Sequence, residues 1–229
     1  MNEKLILIEL VSVFSLLLLA KKFFGKAGVM AWIPIATIIA NVITAKNATV
    51  FGLNTAIGCV MFASTFLATD ILTECYGARE ARKGVLLGLF GALVFIVSSQ
   101  IALAYIPSAI DYANGAMTTL FAMNLRISLS SVVMYFIANM ADIFVYDRLR
   151  IKTRGRKMWL RNNVATITCN CLENFFFILF GFYGIYDFGQ CMQVAFSVSV
   201  IEAIVGLCDT PFLYLAVGRG QGLERFIEL

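Results

Sequence analysis

Apolar residues in this chain run in long stretches broken by short polar or basic interruptions. A helix needs roughly 20 such residues to cross a bilayer. The pattern predicts seven spans, at about 5–24, 29–45, 51–75, 84–106, 126–147, 162–184 and 191–217. The first could be mistaken for a signal peptide. It has no small-residue cleavage site and ends in Lys21, Lys22 and Lys26, which suits a retained helix. Residues 108–125 are too interrupted to span and read as an external loop with a short interfacial helix.

Basic residues alternate with these spans. Loops after spans 1, 3, 5 and 7 hold 15 of the 18 lysines and arginines, and the opposite side keeps only Lys4, Lys46 and Arg126. That asymmetry places the N-terminus outside and the C-terminus in the cytoplasm. The expected fold is an all-α, polytopic transmembrane helical bundle of six to seven spans, one membrane domain over residues 1–229.

Composition agrees. The 229 residues are 60% hydrophobic and 14% charged, with a mean hydropathy of +0.85, which leaves too little polar surface for a soluble fold. The net charge of +4 then reflects topology. The basic run from Arg148 to Arg161 reads as an inner loop touching lipid, so no nucleic-acid partner is expected. Gly84, Gly88 and Gly91, then Gly181 and Gly184, allow close helix approach. Those faces and the last span admit a homodimer without requiring one.

Within the apolar segments lie six carboxylates with no basic residue beside them: Asp70, Glu74, Asp142, Glu173, Glu202 and Asp209. A charge at mid-bilayer costs roughly 2.5–3.5 kcal/mol on insertion scales, so such groups face a protein interior or a wet cavity. Asp70 and Glu74 share a helical face, as do Asn139 with Asp142, and Asn170 with Glu173 and Asn174. A structural reading has Glu74 capping its helix and pairing with Arg79 or Arg82. Glu202 and Asp209, two turns apart, either line the cavity or contact a neighbouring helix. Asn41 and Lys46 close the second span at its outer end. The ends of spans 3 and 5 also echo each other, each running from phenylalanine and alanine through a carboxylate and tyrosine to a basic cluster.

Enzymes find little here. There is no histidine, no P-loop and no metalloprotease or serine-hydrolase motif, and Cys169 with Cys171 makes a poor metal site without further ligands. No catalytic activity, metal or cofactor is expected.

The stretches ANVITAK (40–46), TFLATDILTECYGAREARK (65–83), LRIS (125–128), ADIFVYDRLR (141–150) and MWLRNN (158–163) resemble the VUT family of queuosine-precursor transporters. The resemblance implies an importer of 7-deazaguanine compounds, such as preQ0, preQ1, queuine or queuosine, in the bacterial inner or plasma membrane, feeding salvage for tRNA modification. It puts Asn41 and Lys46 in a first motif, and Asp70, Glu74, Tyr76 and Gly77 in a second. Arg126, Asp142, Arg161, Asn162 and Asn163 fall on further recurring positions. It departs where the family pattern has glutamine for Asn139 and Asn170, and aspartate for Glu173. It also implies six spans, the N-terminal segment being the extra one.

Residue chemistry fits such a ligand. A deazaguanine presents N1–H and a 2-amino group on one edge, which a carboxylate accepts with both oxygens. An aminomethyl substituent is cationic and favours a second carboxylate. Glu173 or Asp70 is expected at the guanine-like edge, completed by Asn170 and Asn139, with Asp142 or Glu74 as cation partner or proton site. Asn41 completes the first group of substrate-binding candidates. Lys46, Tyr76, Arg126, Arg161, Asn174, Glu202 and Asp209 form a second. The expected partners are a purine-like small molecule and the lipid bilayer. The alternative is a substrate-binding membrane subunit that needs an ATP-driven complex.

Overall fold

The computed structural model describes residues 1–121, 125–182, 184 and 187–218, with the backbone alone for 125–129. Its helices are α1 (Asn2–Ile43), α2 (Cys59–Tyr76), α3 (Ala78–Ala104), α4 (Asn114–Phe121), α5 (Leu125–Lys152), α6 (Met158–Phe182) and α7 (Phe188–Val217). Of these, α3, α6 and α7 are long and apolar enough to cross a membrane by length and composition.

Helix α1 is two arms. Gly25 breaks it with φ 58° and ψ −135°, a conformation that side chains resist. A straight helix of 42 residues would be roughly 63 Å long. Yet Asn2 at its start donates to the Thr49 carbonyl just beyond its end, at 2.9 Å, so the arms fold back on each other. The two arms cover the stretches expected as the first two spans.

The expected third span, 51–75, begins too early. Asn47–Val50 and Leu53–Ala56 form an antiparallel β-hairpin, β1 and β2, with Val50 paired to Leu53. Phe51 (φ 51°) and Gly52 (φ 78°) make the two-residue turn, since positive φ at both central positions matches the twist of the strands. Helix α2 starts only at Cys59 and is the central element, with 15 of its 18 residues buried. Gly77, at φ 89° and ψ 156°, ends α2 and opens α3. Of the 27 residues of α3, only Ala81, Gly84, Val85, Gly88 and Ala92 are buried. Its glycines pack closely: a Cβ at Gly84 would meet Ile33 and Leu72, and one at Gly91 would meet Pro34. The short helix expected within 108–125 is α4.

Basic residues converge at one end of the bundle. Lys21 donates to the Ala216 carbonyl and, at 3.1 Å, to the Cys75 sulfur. Lys26 and Lys83 both reach Glu80, at 3.1 and 2.6 Å. Helix α5 extends past its expected end to Lys152, carrying Arg148 and Arg150 towards the same end.

Candidate functional site

All six lone carboxylates are buried in the interior, and the helix directions sort them into layers. Helices α2, α5 and α7 run towards the basic end, while α6 starts there and runs away. Counting 1.5 Å per residue along each helix gives the depth of every group.

The layer nearest the basic end is an ion cluster. Glu74 meets the Arg161 guanidinium at 2.7 Å and accepts from the Tyr146 hydroxyl at 3.1 Å. Arg161 is 1% exposed, lies over the Tyr146 ring at 5.4 Å, and donates to the Arg156 carbonyl at 2.9 Å. Arg150 lies 3.8 Å from Glu74 and donates to the Thr73 carbonyl at 3.0 Å. The pairing of Glu74 with Arg79 or Arg82 is therefore replaced. The corner at Gly77 turns α3 outward and leaves both arginines exposed. Tyr146 and Arg150 escaped the sequence reading, although Tyr146 is one turn from Asp142 on the same face.

One turn deeper, Asp70 of α2 and Asp142 of α5 face each other, both 0% exposed. These are the carboxylates of the two echoing segments. None of their four oxygens receives a hydrogen bond from a fixed donor, and the two carboxyls stand within hydrogen-bonding reach of each other. Thr65, Thr69 and Thr73 cannot help, because their hydroxyls are spent on carbonyls of their own helix. Thr166 of α6 approaches Asp142 without completing a hydrogen bond. Asp209 of α7 closes the layer and is tied to α6, accepting from the Asn162 amide at 2.5 Å. Thr210 accepts from Asn162 and Asn163 at 3.1 and 2.9 Å.

Below lie Asn139 and Asn170, both buried, each with its side-chain oxygen unpartnered. The Asn139 amide donates to the Tyr135 carbonyl of its own helix, at 3.0 Å. Deeper still, Asn174 donates to Glu202 at 2.6 Å and to Ser199 at 3.4 Å, and Glu173 keeps one oxygen buried and unpartnered. Glu202 and Asp209 thus both contact α6.

The remaining candidates lie apart. Asn41 donates to the Thr37 carbonyl at 2.8 Å and lines a crevice with Phe95, Ser99, Gln100 and Phe121, at the end away from the basic cluster. Lys46 is exposed in the connection before the hairpin, and Tyr76 is half-buried at the last turn of α2. Arg126 lies in the first turn of α5, its side chain outside the described residues.

A family model described as "Putative vitamin uptake transporter" matches residues 56–216, which hold all of the buried acids above. The chain belongs to this family. Among its relatives is a protein named "Probable queuosine precursor transporter" from Bacillus subtilis (strain 168). It is 35% identical over 204 residues, covering 89% of each chain. A "Queuosine precursor transporter" of Escherichia coli (strain K12) is 31% identical, over 61% of this chain and 64% of the relative. No solved structure matches. The family is one of transporters, so the buried acids belong to a membrane protein that moves a solute.

Proposed function

We propose that the protein imports 7-deazaguanine precursors of queuosine, and that the base binds between Asp70 and Asp142. The observation that carries this reading is the set of four buried carboxylate oxygens with no fixed donor. Acceptors left open in a dry interior are costly, and a ligand rich in N–H groups offsets that cost. The N1–H and 2-amino edge of a deazaguanine supplies such donors to one carboxylate. The second faces the 7-substituent, and the open oxygens of Asn139 and Asn170 stand one layer beyond. The names of the two relatives point to the same ligand class.

The bundle crosses the membrane seven times in this reading, the arms of α1 counting as two crossings. The basic end faces the cytoplasm by the positive-inside rule. Asp70 and Asp142 are fully enclosed, so helices must part on one side and then the other for a base to pass. The ion cluster lies between these acids and the cytoplasmic end.

Uptake of a labelled deazaguanine into vesicles holding the purified protein tests the reading. Guanine, preQ0, preQ1, queuine and queuosine serve as competitors. Competition by the deazaguanines, lost in Asp70→Asn, is expected. Flux that appears only with an added ATPase complex, or equal competition by guanine, would overturn it.

A further inference from the structure

A second group of acids lies on the far side of the asparagines. From Asp209 to Glu202 is seven residues of α7, roughly 10 Å along the helix. The two groups are therefore separate. Glu173 and Glu202 approach one another across α6 and α7, both at least nine-tenths buried. Neither takes part in an ion pair among the described residues. The groups around them are Cys59 of α2, with Glu9 of α1 beside it, Tyr135 of α5, Cys169 one turn from Glu173 on α6, and Asn174 and Ser199 of α6 and α7. None is cationic. The inner acids differ, since Arg161 and Arg150 stand one turn away from them.

Hydroxyl groups extend this group in both directions. Tyr135, 3% exposed, lies near Glu173 and points its hydroxyl at Thr37 with a geometry short of a hydrogen bond. Thr55 of β2, 2% exposed, lies beside Cys59, which in turn neighbours Glu202, and its hydroxyl is also unpartnered. A hydroxyl both donates and accepts, so these two are fitted to pass a proton in a way that alkyl side chains are not. Thr55 belongs to the hairpin, whose Asn54 and Thr49 are exposed, at the end opposite the basic cluster.

We propose that Glu173 and Glu202 form a proton-carrying pair, distinct from the base site at Asp70 and Asp142, that couples uptake to the proton gradient. The inference rests on the transport reading above. A proton enters from the hairpin end by way of Thr55 and makes one O–H bond on a glutamate, neutralising a charge that no cation balances. When the helices part on the cytoplasmic side, the bond breaks and the same proton leaves with the base. Nothing is oxidised or reduced.

Vesicles holding the purified full chain test the coupling, with membrane potential clamped at zero and the uncharged nitrile-bearing deazaguanine as probe. Wild type is expected to accumulate the probe about tenfold for each pH unit, interior alkaline, as one proton per base requires. A protonophore should abolish the accumulation. Glu202→Gln is expected to lose accumulation yet keep counterflow exchange of the same probe at wild-type rate, which also reports a folded bundle. Should Glu202→Gln lose counterflow as well, a trapped pH dye in wild-type vesicles decides. One proton entering per base supports the pair, and none overturns it. Proton-driven accumulation that survives in both Glu202→Gln and Glu173→Gln would overturn it too, as would accumulation driven by sodium alone. Wild type with counterflow but no gradient dependence fails the coupling alone. Wild type with no counterflow fails the substrate reading and the coupling with it.

Discussion

Four residues of α2 separate two acids with opposite surroundings. Glu74 has an arginine at 2.7 Å, a tyrosine hydroxyl at 3.1 Å and a second arginine nearby. Asp70, one turn deeper and equally buried, has another carboxylate for a neighbour and no fixed donor. A fold that gives Glu74 two arginines and a hydroxyl could have done the same for Asp70. The difference is that the first acid ties helices together, while the second keeps acceptors free of fixed donors, as the proposed binding position requires.

The largest effect should come from breaking the satisfied acid. Glu74→Leu strands the buried Arg161, and losing one partner of such a pair costs about 3–5 kcal/mol. Thermal melting in detergent should show a strongly destabilised protein, and Arg161→Leu should do the same. Replacing both together should recover most of the loss, because no charge then remains unpaired. Asp70→Asn should behave oppositely, with melting unchanged or raised and uptake lost. If Asp70→Asn melts as low as Glu74→Leu, the two acids share one structural role and the comparison collapses.

Ligand binding gives the next effect in size. A hydrogen bond to a charged group contributes about 1.5–3 kcal/mol, so Asp70→Asn or Asp142→Asn should weaken deazaguanine binding by roughly ten- to a hundredfold. Calorimetry on the purified protein reads this directly. Equal binding by wild type and both variants would remove the base from this layer.

Gly77 sets which arginine Glu74 meets. Its backbone lies at φ 89° and ψ 156°, where a side chain costs about 1–3 kcal/mol. Gly77→Ala should destabilise the protein by that amount, read as a lower melting temperature, and relax the corner that sends Arg79 and Arg82 outward. The drop should shrink in a Glu74→Leu/Arg161→Leu background, where no pair is left for the corner to protect. An undiminished drop would uncouple the corner from the ion cluster.

Much of this arrangement was legible in the sequence. Unbroken apolar runs located the helices, and lone acids inside them marked the interior, because a bilayer forbids unpaired charge elsewhere. The basic asymmetry also fits the end where Lys21, Lys26, Arg150 and Arg161 converge. The hairpin was hidden because Val50, Leu53 and Ala56 are as apolar as a helix, and only Asn47, Gly52 and Asn54 hinted at a turn. Arg161 was hidden as a partner because ion pairs across helices depend on three-dimensional register, which hydropathy does not encode. The structural reading of Glu74 therefore pairs it with arginines five and eight residues on, when its partner lies 87 residues away.

Asp209 stands between the two regimes and gives the finest test. It shares the layer of Asp70 and Asp142, yet one oxygen accepts from Asn162 at 2.5 Å while the other is open. Asn162→Leu removes that donor and leaves Asp209 as bare as Asp70. Hydrogen bonds between membrane helices average about 0.6 kcal/mol and reach about 1.7, so melting should fall only slightly. Binding of the deazaguanine should stay within twofold of wild type if Asp209 serves the contact between α6 and α7. A tenfold change in either direction would mean that the base competes with Asn162 for this carboxylate. The site would then be a three-acid chamber, with Asn162 setting how much of the third acid a ligand can reach.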